Sequence, residues 1–502
     1  MSFAQVYTRS VVGLNAPSVM VEVHLSQGLP AVTIVGLPEA AVRESKDRVR
    51  SAIINSGFQF PNRRLTINLA PADLPKDGAR LDLPIAIGIL AASGQIDDSQ
   101  LQQYEFIGEL ALNGDLRSIS GALAVARAIK ADKRTLIVPK DNATEAVKVD
   151  GIQVLQADNL KSVCLHLQGE QLLTFAEPRA IYRTDSYTLD LADVKGQHQA
   201  RRALEIAAAG GHSLLFCGSP GTGKTLMASR LPTILPPLTD AEALEVASIY
   251  SIANTDYAYG TRPFRQVHHT TSAVALVGGG SSPKPGEITL ANHGVLFLDE
   301  LPEFDRKVLE VLRQPIENKE IVISRANAQT TFPAHFQLVA AMNPCPCGYY
   351  GDMTRGDGSK RCQCRPEQIK RYQEKLSGPL LDRIDLHVTV PALPVSDLQS
   401  TQAGESSASV RARVIAAFNR QQTRQGKANN ELSPNELQQH APLGEAQAKI
   451  LALAQQRLNL SARGYHRVLR VARTIADLAD SETIDTPHLT EALSYRSQLV
   501  NG

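Results

Sequence analysis

The sequence predicts a multidomain α/β protein whose C-terminal region is helical. Its 502 residues are too many for one compact core, so two to four domains are expected. Short apolar runs such as HSLLFC and GVLFL alternate with helical patterns along most of the chain, as they do in parallel sheets covered by helices. From about residue 410 onwards only helical patterns remain.

Changes of pattern divide the chain into three structured blocks. Residues 1–176 mix β-rich runs such as RLTINLA with helical patterns, which predicts a mixed α/β domain. The polar residues 177–190 lack periodicity and predict a linker. Residues 191–392 predict a second α/β domain with a parallel sheet, and the Ser/Gln-rich residues 393–409 predict a connection to a helical lid over 410–502.

Composition argues against several classes of protein. The net charge of +1 provides no global attraction to nucleic acid or membrane, so any such affinity has to come from local patches. The chain has no Trp and only 5% aromatic residues, which argues against recognition dominated by base stacking. The N-terminus lacks a signal-peptide pattern, the most apolar segment (83–94) is too short to span a bilayer, and six Cys do not indicate a disulfide-stapled fold. We therefore expect a cytoplasmic protein that does not enter a membrane.

The stretch CGSPGTGKT has the pattern G-x-x-x-x-G-K-[ST] of a nucleotide-binding loop. It lies between an apolar strand pattern and a helical pattern, which is the context that such a loop requires. Gly218, Gly221 and Gly223 are expected to let backbone N–H groups surround the phosphates of ATP. Lys224 is expected to reach the β and γ oxygens, and the Thr225 hydroxyl is expected to ligate Mg²⁺.

Two later strand patterns end in residues suited to hydrolysing ATP. GVLFLDE ends in Asp299, which is expected to complete the Mg²⁺ shell, and in Glu300, which is expected to polarise the attacking water. The alternative for this pair is a cap for the helix that follows. FQLVAAMN ends in Asn343, which either contacts the γ-phosphate and the water or forms a turn before Pro344.

Arginines in the C-terminal half offer positive charge for phosphoryl transfer. Arg383 in LLDRIDL stands between two acids, so it either forms a local ion pair or acts in trans at the ATP site of a neighbouring subunit. Arg463, Arg467, Arg470 and Arg473 share one face of a predicted helix, which is either a solvated cationic face or a further source of charge. ATP hydrolysis is the reaction that these motifs predict together, and dependence on a neighbour's arginine predicts a closed ring.

Four of the six cysteines form two C-x-C pairs in CPCGYYGDMTRGDGSKRCQC. Cys345, Cys347, Cys362 and Cys364 suit tetrahedral Zn²⁺, which would fix a loop that has few apolar residues. The C-x-C spacing is tighter than the usual C-x-x-C. Reduced thiols without a metal and a labile redox pair are therefore the alternatives to the favoured structural zinc.

With these parts in this order, the region from about residue 191 to 502 resembles an AAA+ ATPase of the magnesium-chelatase-like, helix-2-insert group. The resemblance implies a parallel-sheet ATPase core followed by a helical lid. It matches Walker A to Lys224 and Thr225, Walker B to Asp299 and Glu300, sensor 1 to Asn343, the arginine finger to Arg383, and sensor 2 to Arg463. Arg467 lies close enough in sequence to leave the register of sensor 2 open.

The same resemblance implies two insertions in the core. Residues 272–294 look like the helix-2 insert, and residues 321–336 look like the presensor hairpin. Both are expected to project loops into the centre of a ring, where Lys284 and Arg325 are the candidates to contact a DNA backbone. Each of these cations is also compatible with an ordinary solvated surface charge.

The N-terminal block resembles the proteolytic domain of Lon, which raises the possibility of a protease. Lon uses a Ser–Lys dyad whose serine follows a KDG motif. In this sequence Arg80 stands at the nucleophile's position and Ala122 near that of the lysine, so the fold is expected without the dyad. An alternative dyad of Ser118 with Lys130 has no motif to support it.

Strings along the chain, among them VGLPEAAVRESKDRVRSAIINSGFQFP, GGHSLLFCGSPGTGKT and PKPGEITLANHGVLFLDELPEF, resemble the YifB/ComM family over most of its length. That resemblance implies an ATPase ring, a hexamer by expectation, that migrates branched DNA during natural transformation. Single-stranded and branched DNA are the expected partners, together with recombination proteins. A protein-remodelling motor of the magnesium-chelatase type is the alternative. Metal-inserting systems with a similar motor work through a partner that carries an integrin-like metal site. The D-x-S-x-S stretch typical of that site is absent from this sequence.

Overall fold

The computed structural model describes seven stretches of the chain, which contain the elements of all three blocks. The described residues are 2–76, 78–177, 187–280, 283–325, 328–351, 362–393 and 403–496. Within these stretches, no helix combines the length and the apolar character that crossing a membrane requires.

The N-terminal block folds as a mixed sheet of eight strands with helices packed on it. Its elements are β1 (Phe3–Arg9), β2 (Ser18–Ser26), β3 (Ala31–Val35), α1 (Ala40–Asn55), β4 (Arg64–Ala70), α2 (Asp82–Ala92), β5 (Tyr104–Phe106), β6 (Glu109–Leu110), β7 (Leu116–Arg117), α3 (Ala122–Ile129), β8 (Thr135–Pro139), α4 (Lys140–Ala146), β9 (Val154–Ala157), α5 (Leu160–Leu167) and β10 (Thr174–Phe175). The strand order is β10-β9-β8-β5-β1-β2-β4-β3, and β6 pairs with β7 separately.

Hydrophobic patterning explains how this sheet acquires its core. Buried residues alternate with more exposed ones along β1, β2 and β4, because one face of each strand packs on the helices. After Asp82 at its first position, the helix α2 is apolar on every side, and all of its residues are buried. It contains most of the apolar segment that is too short for a membrane span, and it is the central helix of this domain.

The second block has a parallel sheet of five strands. Its elements are α6 (His198–Gly210), β11 (Leu214–Gly218), α7 (Lys224–Ala228), α8 (Leu231–Ile234), α9 (Asp240–Ala253), β12 (Phe264–Val267), α10 (Ala273–Val277), β13 (Gly278–Gly279), β14 (Lys284–Pro285), α11 (Glu287–Leu290), β15 (Val295–Leu298), α12 (Arg306–Val311), α13 (Arg313–Asn318), β16 (Glu320–Arg325), β17 (Ala328–Pro333), β18 (Gln337–Met342), α14 (Pro366–Gln373), α15 (Gly378–Leu381) and β19 (Leu386–Val390). The strand order is β12-β15-β18-β11-β19, and every adjacent pair is parallel.

This strand order brings the predicted motifs together. All residues of β11, β15 and β18 are buried, as expected for strands covered on both faces. Because the strands are parallel, their carboxyl ends lie along one edge of the sheet. The chain continues from that edge into the phosphate loop, into Asp299 and Glu300, and into Asn343.

The C-terminal region is helical, as the sequence predicts. Its helices are α16 (Ser407–Gln425), α17 (Pro434–His440), α18 (Glu445–Arg457), α19 (Ala462–Leu478) and α20 (Thr486–Ser494). The first of them begins inside the predicted connection, because the Ser406 side chain accepts a hydrogen bond from the Ser409 N–H and caps the helix there. Apolar residues of α16, α19 and α20 share one core with β11, β18 and β19. The domain boundaries 1–176, 191–392 and 410–502 stay predictions.

A buried carboxylate joins this helical region to the sheet. Asp385 precedes β19 and accepts hydrogen bonds from the Ser213 N–H and from the Ser213 hydroxyl, both at 3.1 Å. It also forms an ion pair with Arg467 of α19, and its distance to His212 Nδ1 is 3.5 Å. Burial raises the pKa of the Asp385 carboxyl, but Arg467 and His212 outweigh it and hold that pKa well below its usual value.

Replacing Asp385 with alanine is expected to destabilise the protein by about 3–5 kcal/mol, because it leaves Arg467 buried without its counter-ion. Thermal unfolding would measure this change, and so would the rate at which a protease cleaves the C-terminal helical region from the rest of the chain. The matched control is Asp193→Ala, which breaks the ion pair with Arg230 at 2.9 Å, where the carboxylate is half exposed. That change should cost no more than about 1 kcal/mol. Equal unfolding midpoints for the two variants would contradict the role of Asp385.

The N-terminal domain packs directly on the second block. The Gly121 N–H, before α3, donates to the Ser251 carbonyl of α9 at 3.2 Å, and Arg127 donates to the Ser248 hydroxyl at 3.3 Å. Ala247 of α9 belongs to the same hydrophobic cluster as the apolar residues of α3. These contacts join α3 to α9, so the two blocks share an interface between these helices.

Candidate functional site

The phosphate loop surrounds its own lysine. Gly221 and Gly223 both have positive φ, at 80° and 87°, and α7 begins at Lys224. Lys224 Nζ donates to the Gly218 carbonyl at 2.7 Å and to the Ser219 carbonyl at 3.0 Å. The lysine is therefore held across the loop, in the position from which it would meet phosphate oxygens.

The predicted magnesium ligands are in direct contact. The Thr225 hydroxyl donates to Asp299 Oδ2 at 2.8 Å, although the two residues belong to elements far apart in sequence. A hydroxyl beside a carboxylate is an oxygen-only donor set, which is what Mg²⁺ prefers. Thr225 and Asp299 therefore fit a magnesium ion, with further positions left to phosphate and water.

Glu300 has a strained backbone and a partner that the sequence analysis did not identify. Its φ is 53°, in the left-handed region that residues other than glycine rarely adopt. Its carboxylate lies 3.1 Å from Nδ1 of His269. His269 follows β12, the strand next to β15, and only the sheet order reveals that the two side chains are adjacent.

Asn343 completes the group at this edge. Its Oδ1 accepts a hydrogen bond from Lys224 Nζ at 3.1 Å, so it lies beside the loop rather than only forming a turn. Burial lowers the pKa of Lys224, and the carboxylates of Asp299 and Glu300 act in the opposite direction. The negative charge of a bound triphosphate would stabilise the same ammonium group, so these residues fit ATP.

Gln197 is a second residue that the sequence analysis did not identify, and it contacts the phosphate loop on the side of β19. Gln197 is buried, and its Nε2 donates to the Pro391 carbonyl at 2.8 Å and lies 3.5 Å from the Thr222 carbonyl. It thereby ties the phosphate loop to the end of β19. A single Gln before a helix gives no sequence signal for this role.

The predicted arginine finger lies at the opposite edge of the sheet. Arg383 precedes β19 and is only 5% exposed. Its Nη2 lies 2.7 Å from Glu317 Oε1, and its Nη1 donates to the Pro379 carbonyl at 2.7 Å. The sequence analysis offered a local ion pair between Arg383 and the acids that flank it. That alternative is wrong, because Arg383 pairs with Glu317 of α13 instead. Arg383 lines an open cavity of about 470 Å³ that also contains Arg463 and Lys319.

The predicted cationic face of α19 is not a uniform solvated surface. Arg467 is bound to Asp385 and to the Arg383 carbonyl, and Arg470 donates to the Leu432 carbonyl at 2.8 Å. Arg473 is 1% exposed and pairs with Asp477. Arg463 is different, because its side chain is 61% exposed and reaches only within 3.6 Å of Glu317. Both arginines line the cavity, but Arg467 is held by a buried carboxylate, whereas Arg463 is largely exposed and has only Glu317 near it.

The two insertions pack against each other. A methyl group placed on Gly278 of β13 would lie 3.2 Å from Cδ1 of Ile323 in β16. Lys284 lies in β14 of the same small hairpin, and it is exposed. Arg325 ends β16, and its side chain lies outside the described residues.

The two positions that the resemblance to Lon assigns to a catalytic dyad are close together in space but carry neither a hydroxyl nor an amine base. Arg80 Nη1 lies 3.5 Å from where a Cβ of Gly121 would be, next to Ala122, which is completely buried. Ser118 and Lys130 lie before and after α3, which is about 12 Å long. The Lys130 side chain extends towards Gly151, and its Cε lies 3.7 Å from where a Cβ of Gly151 would be. It therefore does not serve Ser118 as a base.

The four predicted cysteines come together. The Sγ–Sγ distances are 3.3 Å for Cys345–Cys347, 3.7 Å for Cys345–Cys362 and 3.6 Å for Cys347–Cys362. With Cys364 included, all four Sγ atoms lie within 4.8 Å of one another. A tetrahedral zinc with Zn–S bonds of about 2.3 Å places its sulfurs about 3.8 Å apart, so this cluster fits one metal ion.

Comparison with known proteins agrees with this arrangement along the chain. Three family models match: "Subunit ChlI of Mg-chelatase" over residues 21–142, "Magnesium chelatase, subunit ChlI" over 190–398, and "Magnesium chelatase, subunit ChlI C-terminal" over 404–496. The chain is 52% identical to the Competence protein ComM of Haemophilus influenzae, covering 99% of this chain and 98% of that protein. It is 51% identical to the protein YifB of Escherichia coli, covering 99% and 97%. It is 24% identical to the magnesium-chelatase 38 kDa subunit of Cereibacter sphaeroides, covering 60% of this chain and 90% of that subunit.

Proposed function

Because this chain belongs to the ComM/YifB family of magnesium-chelatase-like AAA+ ATPases, we propose that it is an ATP-driven DNA translocase. In this proposal it acts in the cytoplasm as a hexameric ring and promotes branch migration when incoming DNA recombines during natural transformation. The observation that carries the choice of DNA as cargo is the full-length similarity to a competence protein. Single-stranded and branched DNA are its partners, with recombination proteins acting on the same DNA.

The carboxyl edge of the parallel sheet provides the chemistry of hydrolysis. Lys224 binds the β and γ phosphates, and Glu300 accepts the proton of the attacking water. Asn343 orients that water beside the γ-phosphate. When bound at Thr225 and Asp299, Mg²⁺ supplies positive charge that stabilises the transferring phosphoryl group.

A complete site needs a second subunit. The phosphate loop follows β11 at one edge of the sheet, and Arg383 precedes β19 at the other edge. A five-residue strand spans about 16 Å, so Arg383 does not reach the nucleotide of its own chain. We assign Arg383 and Arg463 to the ATP site of the neighbouring subunit, with Arg463 rather than Arg467 as sensor 2. In this assignment Arg383 leaves Glu317, its partner within the chain, when the neighbouring subunit docks. Head-to-tail contacts of this kind generate rings.

The two packed insertions are the proposed contact with DNA. Lys284 is exposed at the tip region of its hairpin, and Ile323 holds that hairpin against β16, which ends in Arg325. A translocase that grips phosphates needs cations at such tips and no base-specific contacts. We therefore assign Lys284 and Arg325 to the DNA backbone.

The four-cysteine cluster is assigned to one Zn²⁺ ion. Its support is the set of Sγ–Sγ distances, which match a tetrahedral zinc site better than they match a disulfide-linked pair. The role of zinc here is structural, because all four positions are protein thiols and none is open to a substrate.

A protein-remodelling motor of the magnesium-chelatase type is the second candidate. The observation that favours it is that all three matching family models describe magnesium-chelatase subunit ChlI. The two candidates share the ATP site and differ only in cargo. A remodelling motor would respond to a protein client and would ignore DNA.

Forked or single-stranded DNA is expected to stimulate ATP hydrolysis by the wild-type protein, because cations in the ring bind the phosphate backbone. The concentration of DNA that gives half-maximal stimulation should rise with salt, since binding releases counter-ions. Steady-state ATPase assays at several ionic strengths would measure both effects. ATP turnover that is indifferent to DNA, combined with no DNA binding at low salt, would reject the translocase and favour the remodelling motor.

The assignment of Lys284 has its own control within the same assay. Lys284→Ala is expected to weaken the stimulation by DNA and to reduce its salt dependence by about one counter-ion. Lys449→Ala removes another exposed lysine, from α18 in the helical region and outside the insertions. DNA should stimulate ATP hydrolysis by this control variant as strongly as it does in the wild type. Equal losses of stimulation in both variants would contradict a specific role for Lys284.

A further inference from the structure

The four-cysteine cluster adjoins the ATP site directly. Only Pro344 separates Asn343, which contacts Lys224, from Cys345, which is completely buried. The Gly348 N–H donates to the Cys345 carbonyl at 2.9 Å and closes a tight turn there. The first pair of cysteines therefore sits on a turn whose start is fixed to the residue proposed to sense nucleotide.

That turn also lies against the phosphate loop. A Cβ placed on Gly348 would be 2.6 Å from Cδ of Pro220 and 3.8 Å from Cγ of Asn343. The backbone of Gly348 thus fills the space between the loop and Asn343, and its φ of 85° favours glycine as well. A shift of this turn would be passed to both partners by steric contact.

The second pair of cysteines connects the same turn to another part of the core. Cys364 is followed almost at once by α14, and Gln373 at the end of that helix donates to the Pro344 carbonyl at 3.1 Å. Lys375 then pairs with Glu303 at 3.1 Å. The chain continues through α15 to Arg383. A metal ion held by both cysteine pairs would therefore join the residues after Asn343 to the segment that ends in the finger.

We propose that Zn²⁺ bound by Cys345, Cys347, Cys362 and Cys364 is a positioning element that holds Asn343 and the phosphate loop in catalytic register. The proposal rests on the ATPase function proposed above. Four thiols and a tight turn have little apolar surface with which to hold their own geometry, so the metal provides the cross-link. A displacement of about 1 Å at a catalytic group costs up to about 100-fold in rate.

The first experiment removes the metal from the full-length protein. The double variant Cys347→Ser with Cys362→Ser is expected to lower bound zinc from about one ion per chain to none, as measured by metal analysis. Its kcat for ATP hydrolysis should fall by about 10-fold to 100-fold, whereas the Kd of a fluorescent ATP analogue should change little. Cys164→Ala is the control, because Cys164 is buried in the N-terminal domain and lies outside the cluster.

The second experiment keeps the metal and disturbs only the contact. Gly348→Ala retains all four thiols but places a methyl group against Pro220, so kcat should fall while zinc stays at about one ion per chain. Gly351→Ala is the matched control, because Gly351 has a nearly equal φ of 80° and no atom within 4 Å of its Cβ position. Both substitutions place alanine at a positive φ, so both should lower the unfolding midpoint to a similar extent. Only Gly348→Ala should also lower kcat.

The outcomes separate the parts of this inference. Wild-type protein without zinc, and without the cobalt–thiolate absorption bands after addition of Co²⁺, would overturn the metal site. Wild-type kcat in both Gly348→Ala and the cysteine double variant would overturn the positioning role while leaving the metal in place. A zinc-bound wild-type protein that hydrolyses no ATP would contradict the proposed ATPase function, and the coupling with it, but not the zinc site.

Discussion

Lys224→Ala is expected to lower the rate of ATP hydrolysis by at least about 100-fold, which is the loss typical of removing one preorganised group that stabilises transition-state charge. Lys224 Nζ spans the loop between the Gly218 and Ser219 carbonyls and also contacts Asn343. The alanine variant therefore loses the charge that meets the phosphates and the link between the loop and Asn343. Both kcat and the affinity for ATP should fall, because the lysine contacts the ground state as well as the transition state.

A matched lysine and a second substitution at the site make this result specific. Lys161→Ala removes an exposed lysine of α5 and should leave hydrolysis unchanged. Glu300→Gln should lower kcat by about 100-fold to 10,000-fold while ATP still binds, because it removes only the base. Hydrolysis by Lys224→Ala at the wild-type rate would show that this loop is not the site of turnover.

The sequence was sufficient for the elements whose signals are local. The loop around Lys224 has a fixed spacing, and the strands before Asp299 and Asn343 are continuous apolar runs, so the parallel sheet and its polar edge follow from general rules. The cysteine pairs also predicted a cluster that the structure forms. The AAA+ arrangement and the helical C-terminal region are confirmed by the fold and by the similarity to known proteins.

Contacts between distant elements could not be predicted in this way. His269 meets Glu300 only because β12 and β15 are neighbours in the sheet, and no spacing in the sequence encodes that pairing. Arg473 of the expected cationic face is buried, because Asp477 one turn later neutralises it. Side chains on one helix face look alike in sequence, and only their tertiary partners distinguish a structural arginine from an available one such as Arg463.

Arg383→Ala is expected to lower the rate of hydrolysis by about 1,000-fold to 100,000-fold, the range observed for arginine fingers. Its own phosphate loop stays intact in this variant, so ATP binding should persist. Arg457→Ala is the control, because Arg457 is an exposed arginine of α18 with no role in the cavity. A simple loss of activity would still not distinguish an arginine acting in trans from one that supports its own subunit.

Mixing variants makes that distinction, because the two edges of the sheet serve different sites. Subunits with Lys224→Ala keep Arg383, and subunits with Arg383→Ala keep the loop, so in a ring mixed equally about a quarter of the interfaces should combine both intact parts. ATP hydrolysis should therefore reappear on mixing. Mixing Lys224→Ala with the double variant Lys224→Ala, Arg383→Ala should restore nothing, since no subunit then has an intact loop. If the first mixture also stays inactive although both chains enter one ring, Arg383 acts within its own subunit. A gap of about one strand length must then close by a movement of the sheet edges.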